Sequence, residues 1–253
     1  MTPASEHPIV TLGGLPITVI DCIDEAELIV RAAARRRDTG PLFFTSANGE
    51  VIARTSLDRE LAQLFLDADQ IVADGQPLVT ASRFVCRTRL PERVATTDLF
   101  HDVARRAEQH GTSVYFFGAT ADANAKFVAM LRRTYPRLNI VGASHGYLTG
   151  DALAAKLVEI DALQPDILWL GLGVPREQYF VRDHRAALKN VGLIKTCGGL
   201  FDHLSGKVAR APRLVQHLGF EWLWRVLMEP RRLFWRYLTT NPVAIYALLT
   251  RSS

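Results

Sequence analysis

Seven short apolar runs alternate with amphipathic stretches along this chain, and that alternation limits the fold more than any other feature. The runs are ITVID (17–21), LFFTS (42–46), QIVAD (70–74), SVYFFG (113–118), LNIVGA (138–143), DILWLGLG (166–173) and VGLIKTCGG (191–199). Each suits a strand and is too short for an ordinary helix. Strands separated by helix-period segments are the mark of a mostly parallel sheet with helices on its faces. The expected fold class is therefore α/β: a Rossmann-like, mostly parallel sheet with helices on both faces. Between LFFTS and QIVAD, the positions Leu57, Leu61, Leu64, Phe65 and Ala68 recur at helical spacing. With Thr55 and Asp58 at a capping-box-like start, they predict one helix.

The chain has 253 residues, 48% of them hydrophobic, enough to bury one large domain with an appendage. Cys22, Cys86 and Cys197 are scattered and odd in number, so neither a disulfide scaffold nor a zinc module is expected. No run approaches the roughly 18–20 apolar residues of a membrane-spanning helix, and the first residues lack a leader pattern. This reads as a cytoplasmic protein. Charge is uneven: from His203 onward there are eight Lys/Arg against two acids, a net of +6, which leaves −2 for the rest of a chain whose total is +4. The composition changes near FDHLSGKVARAPR (201–213), so residues 1–202 are expected to form the core and 203–253 a basic amphipathic helical appendage that meets an anionic surface.

In open parallel sheets, ligands bind outside the carboxyl ends of the strands. Ser46 and Asn48, Asp74, Gly118 and the GLGVPREQ segment all follow apolar runs, and would converge there. Each has a plainer reading, since Asn48-Gly49 and Asp74-Gly75 are also ordinary turn pairs. Asp67-Ala68-Asp69 spells a metal-binding DxD but closes a helix before a strand, so no metal site is expected. GLGVPRE lacks the third glycine of a dinucleotide fingerprint, and no GxSxG elbow accompanies the seven histidines. No cofactor is expected.

The segments SANGEVIAR, DADQIVADG, LPERVATTDLF, PDILWLGLGVPREQYF, GGLFDHLSGKVARAPR and LGFEWLWRVLMEPRRLFWRYL resemble, in order and spacing, the blocks of the WecG/TagA/CpsF glycosyltransferases. The resemblance runs from about residue 9 to about residue 240. It implies an inverting transfer from a UDP-sugar (N-acetylmannosamine, its uronic acid, or glucose) to a polyprenyl-diphosphate-linked saccharide in surface polysaccharide synthesis. The enzyme would sit peripherally on the inner face of the cell membrane, and self-association into a homo-oligomer stays open.

The resemblance also implies roles. Asp74 would be the general base, with Ser46 and Asn48 orienting the sugars. Arg93, Asp98, Gly173, Glu177 and Gln178 would bind substrate. Apart from the resemblance, the turn at Gly118–Ala121 before a helix suits either a nucleotide-binding turn or a plain strand-to-helix connection. Asp202 is the strongest candidate in a turn-rich segment that either contacts the nucleotide or joins core to tail. Arg225, Arg232 and Arg236 would take the acceptor diphosphate and the membrane surface, Arg236 standing in where the family's third arginine falls on Trp235. This chain departs from the family in having Ser46 for Thr, the order Glu177-Gln178 for Gln-Glu, and VATT (94–97) for VTG. The alternative is a non-catalytic Rossmann-like binding protein whose basic tail holds nucleic acid. Interleaved Trp222, Trp224, Phe234 and Trp235 suit an interfacial helix better, so nucleic acid is not the expected partner.

Overall fold

Six of the seven apolar runs lie side by side in one parallel sheet. The computed structural model describes residues 6–34, 40–206, 224 and 230–253. The sheet is built from β3 (Leu42–Ala47), β4 (Gln70–Ala73), β5 (Ser113–Gly118), β6 (Asn139–Ser144), β7 (Ile167–Gly171) and β8 (Leu193–Thr196), in the order β4-β3-β8-β7-β5-β6. Every pairing within it is parallel.

Side chains alternate across this sheet. Phe44, Phe116, Trp169 and Leu193 face α1 (Cys22–Ala33), α5 (Thr96–His110), α6 (Ala121–Thr134) and α9 (Leu200–Leu204). Phe43, Phe117, Leu168 and Ile194 face α7 (Gly150–Leu163) and α8 (Arg176–His184). Both faces are covered over the five strands from β4 to β5, which is why those strands read as continuous apolar runs, while the edge strand β6 stays partly exposed. The Rossmann-like expectation is met.

The run ITVID is the exception. It supplies β2 (Leu15–Thr18), which pairs antiparallel with β1 (Ile9–Leu12) in a separate hairpin. Gly13 and Gly14, at φ +58° and +87°, turn the chain back after four residues, a geometry that glycine adopts at little cost. The hairpin packs beside β4.

The expected single helix between β3 and β4 is two: α2 (Gly49–Leu57) and α3 (Arg59–Leu66). Asp58 breaks the run with extended backbone and caps α3, its Oδ1 accepting from the Leu61 N–H at 3.0 Å. Thr55 plays no capping part; its hydroxyl donates back to the Val51 carbonyl inside α2. Leu57, counted on the apolar face, is 76% exposed because the break falls beside it.

After β4 comes α4 (Gln76–Val85), and the last described element is α10 (Pro230–Thr250). The far half of α10 lies on α2, where Ala244, Ala247 and Leu248 are buried in the cluster that holds Leu12, Ile52 and Phe65. The residues that follow join the hairpin, since Ser253 and Thr11 exchange backbone hydrogen bonds at 3.0 Å. Arg225 lies outside the described residues, while Arg232 and Arg236 fall within α10.

Candidate active site

At the carboxyl edge of β4, β3 and β8 the chain opens a cavity of about 480 Å³. This is a topological switch point: β3 leads to β4 on its outer side, whereas its inner neighbour is the last strand, β8.

Asp74 is the first residue beyond β4, its N–H donating to the Ala47 carbonyl at 2.8 Å. Its Oδ2 accepts from the Thr96 hydroxyl at 2.7 Å and the Thr96 N–H at 3.3 Å. Thr96 opens the 15-residue helix α5, so the carboxylate sits at a helix N-terminus, where a negative charge is favoured. The following glycine has a different cause. A Cβ on Gly75 would come within 3.2 Å of the Asn48 Cβ and 3.3 Å of its Cα, so any other residue would crowd the β4–α4 turn against the β3–α2 turn by a few tenths of an ångström. Asn48 caps α2 through Oδ1 and the Val51 N–H at 3.1 Å.

Three helices therefore aim their first turns at the same space: Gly49 to Val51 of α2, Gln76 and Pro77 of α4, and Thr96 and Thr97 of α5 all border it. The positive ends of helix dipoles favour anions, and two of these first turns already donate an N–H to an acceptor side chain: Val51 to Asn48 and Thr96 to Asp74. Ser46, Asn48, Asp74, half-buried Arg93 and buried Glu177 also border it, with Cys197, Gly198 and His203 opposite. Asn241, Ala244, Ile245 and Leu248 of α10 supply a largely apolar side.

Glu177 is held from beneath. Its Oε2 accepts from the N–H groups of Gly173 and Gly198, both at 3.1 Å. Burial pushes its carboxyl up to about 7, against the pull of those N–H groups and of Lys195. The neighbouring Gln178 turns inward, its Nε2 within 3.4 Å of the Thr45 hydroxyl, so the Glu-Gln order presents the acid to the cavity and the amide to the core.

Five of the residues singled out in the sequence thus border one cavity: Ser46, Asn48, Asp74, Arg93 and Glu177. Others do not. Gly118 ends β5, and a Cβ there would meet the Gly171 carbonyl oxygen at 2.2 Å, with φ at +153°; close strand approach accounts for this glycine. Gly173 and Gln178 lie one layer behind the cavity surface, and Asp98 is exposed on α5. On α9 it is His203, not Asp202, that borders the space.

The sequence singles out neither Thr96 nor Lys195, and His203 reads there as a surface or packing residue. Lys195 carried a visible signal, a lone cation in the middle of the apolar run VGLIKTCGG. Thr96 lay in the VATT block that departs from the family, but nothing local named its partner, which lies 22 residues earlier.

Asp67 and Asp69 lie at the opposite edge of the sheet. Asp67 accepts from Gln63, and Asp69, just before β4, accepts from the Phe43 N–H and pairs with Arg185 at 2.6 Å. Among the described residues no group of three His, Cys, Asp or Glu side chains is placed to hold a metal ion.

Residues 10–253 match the family described as Glycosyl transferase WecG/TagA/CpsF. The chain belongs to that family. Among its relatives is the N-acetylglucosaminyldiphosphoundecaprenol N-acetyl-beta-D-mannosaminyltransferase of Bacillus spizizenii strain W23, 31% identical over 210 residues, which cover 82% of this chain and 78% of that protein. As a WecG/TagA/CpsF glycosyltransferase, the protein has this cavity at the edge of the sheet where this fold class binds ligands.

Proposed function

We propose that this glycosyltransferase moves a sugar from a UDP-sugar to a polyprenyl-diphosphate-linked saccharide with inversion, Asp74 acting as general base. The observation that carries this reading is the placement of Asp74 among three helix N-termini on one cavity. An acceptor hydroxyl attacks the anomeric carbon as its proton passes to Asp74. The bond from that carbon to the diphosphate oxygen breaks, and its electron pair leaves with UDP. The first turns of α2, α4 and α5, with Arg93, offer positive potential to that charge where it develops. The relative's name specifies a beta-D-mannosaminyl product, and forming a β-linkage from an α-linked sugar nucleotide needs one inversion. A single base suits one displacement. N-Acetylmannosamine is therefore the leading donor sugar, and a diphosphate-linked N-acetylglucosamine the leading acceptor.

The chain would meet its acceptor at the membrane surface. Among the described residues no helix is long and apolar enough to cross a membrane. Helix α10 nonetheless exposes Trp235, Leu238, Ile245, Tyr246 and Leu249, and it carries Arg231, Arg232 and Arg236. Aromatic and aliphatic groups beside arginine suit a helix lying in an anionic interface. The division at residue 202 is then one of labour: the core performs the chemistry and the basic stretch brings the lipid-linked acceptor to it, while Ala244 and Leu248 fasten that stretch to the core.

The test is UDP release from UDP-N-acetylmannosamine by the full chain with a polyprenyl-diphosphate N-acetylglucosamine in mixed micelles. Release that requires both substrates is expected. No release with this or any other UDP-sugar would sink the reading.

A further inference from the structure

Beneath the cavity floor lies a buried cluster of charges. Lys195 is the third residue of β8, with no exposed surface, between the flanking strands β3 and β7. Strand alternation places it on the same side as Leu193, beneath α1. Lysines are almost never fully buried without partners, because an isolated buried ammonium is very costly. Here the partners come from every element around it. Glu25 on α1, Asp74 after β4 and Glu177 on α8 are the carboxyl groups whose charge acts on it, and the register that sets Phe44 opposite Lys195 and Ser46 opposite Val72 brings Ser46 and the β4 exit to its side of the sheet. Its Nζ donates to the Ser46 hydroxyl at 3.0 Å. Burial makes the amine release its proton more readily, and Glu25, Asp74 and Glu177 oppose that.

We infer that Lys195 is a positioning residue for glycosyl transfer, fixing the Ser46 hydroxyl and holding Asp74 as the carboxylate that can receive the acceptor's proton. The inference rests on the reading of Asp74 as general base. A carboxylate accepts a proton only while ionised, and a nearby cation favours that form. When the proton arrives, Asp74 becomes neutral, and the Lys195 ammonium stays fixed by the Ser46 hydroxyl at 3.0 Å. Lys195 exchanges no proton; it sets the charge around the one that does. Arg93, a cation, and His203, a titratable group, border the same cavity, so the effect sought is the change on removing Lys195 alone.

The experiment is the pH profile of kcat/KM for the full chain, with UDP-N-acetylmannosamine and the polyprenyl-diphosphate acceptor. Lys195→Met is expected to lower kcat by about tenfold or more and to move the acid limb upward by roughly one pH unit, with the KM for donor little changed. Lys195→Arg should keep the acid limb in place. The double variant Lys195→Met/Glu25→Gln removes both buried charges together, and serves if the single variant does not fold. An unmoved acid limb in the folded variant, with Asp74→Asn inactive, overturns the inference and leaves the general base standing. Transfer retained by Asp74→Asn removes the base itself and the inference with it. Loss of fold in both Lys195 variants would assign the residue to stability alone and also overturn it.

Discussion

At the scale of single residues, Asp74 takes its character from neighbours distant in sequence. Thr96 supplies two donors to one carboxylate oxygen. Hydrogen bonds to charged groups are worth about 1.5–3 kcal/mol, so Thr96→Val is expected to lower kcat by roughly 10- to 100-fold while the protein stays folded. Steady-state kinetics beside a far-UV spectrum would check this, and unchanged kcat would remove Thr96 from the site. Glu25 makes a separate prediction. Burial pushes its carboxyl from 4.5 up to about 7. Between those values the folded protein binds the proton that the unfolded chain releases, so this group's contribution is present below about pH 4.5 and is lost as pH rises through about 7. Urea unfolding at pH 5 and pH 7.5 should therefore show a smaller decline for Glu25→Gln than for the native chain; an equal decline would contradict it. The candidates legible in the sequence were polar residues at strand ends, such as Ser46 and Asp74. Thr96 and Lys195 act across the fold, and pairing across a fold has no local spacing to read.

At the scale of elements, six strands were legible because a sheet covered on both faces demands unbroken apolar runs. The hairpin and the divided helix were not, since both turn on one or two residues: Gly13-Gly14 reverses the chain, and Asp58 prefers capping α3 to continuing α2. The glycine after Asp74 is an element-scale device of the same kind. Gly75→Ala would push its new Cβ into Asn48, and because that residue caps α2, the first turns of α2 and α4 would move apart. Overpacking of this kind costs about 1–3 kcal/mol. We expect a lowered melting temperature together with a raised KM for the UDP-sugar; a variant stable and kinetically native would contradict the close approach. Element placement also bears on metal use. Asp69 is engaged with Arg185 at the amino-terminal edge of the sheet, the far side from the cavity. Transfer is thus expected to continue in EDTA, and its abolition with rescue by Mn²⁺ would bring Asp67 and Asp69 back into question.

At the scale of the molecule, the basic final stretch is tied to the core at its far end. Ala244, Ala247 and Leu248 pack on α2, and Ser253 pairs with the hairpin. Sequence alone marked this stretch by its charge and aromatic residues, and those features say nothing about where its apolar positions dock. Deleting it would strip one side of the cavity, so charge substitutions within it probe its role more cleanly. Charge reversal at Arg232 and Arg236 should weaken co-sedimentation with anionic vesicles, most clearly at low salt, while melting temperature stays near native. Binding that persists unchanged would move the membrane contact elsewhere. On the proposed reading core, cavity and tail meet in one reaction, and single-turnover transfer by Asp74→Asn tests it most directly. Asparagine keeps the shape of the side chain and removes its basicity. With UDP-sugar binding retained, the rate is predicted to fall by at least about a hundredfold, the low end for a general base; a folded Asp74→Asn enzyme transferring sugar at the native rate would contradict the account.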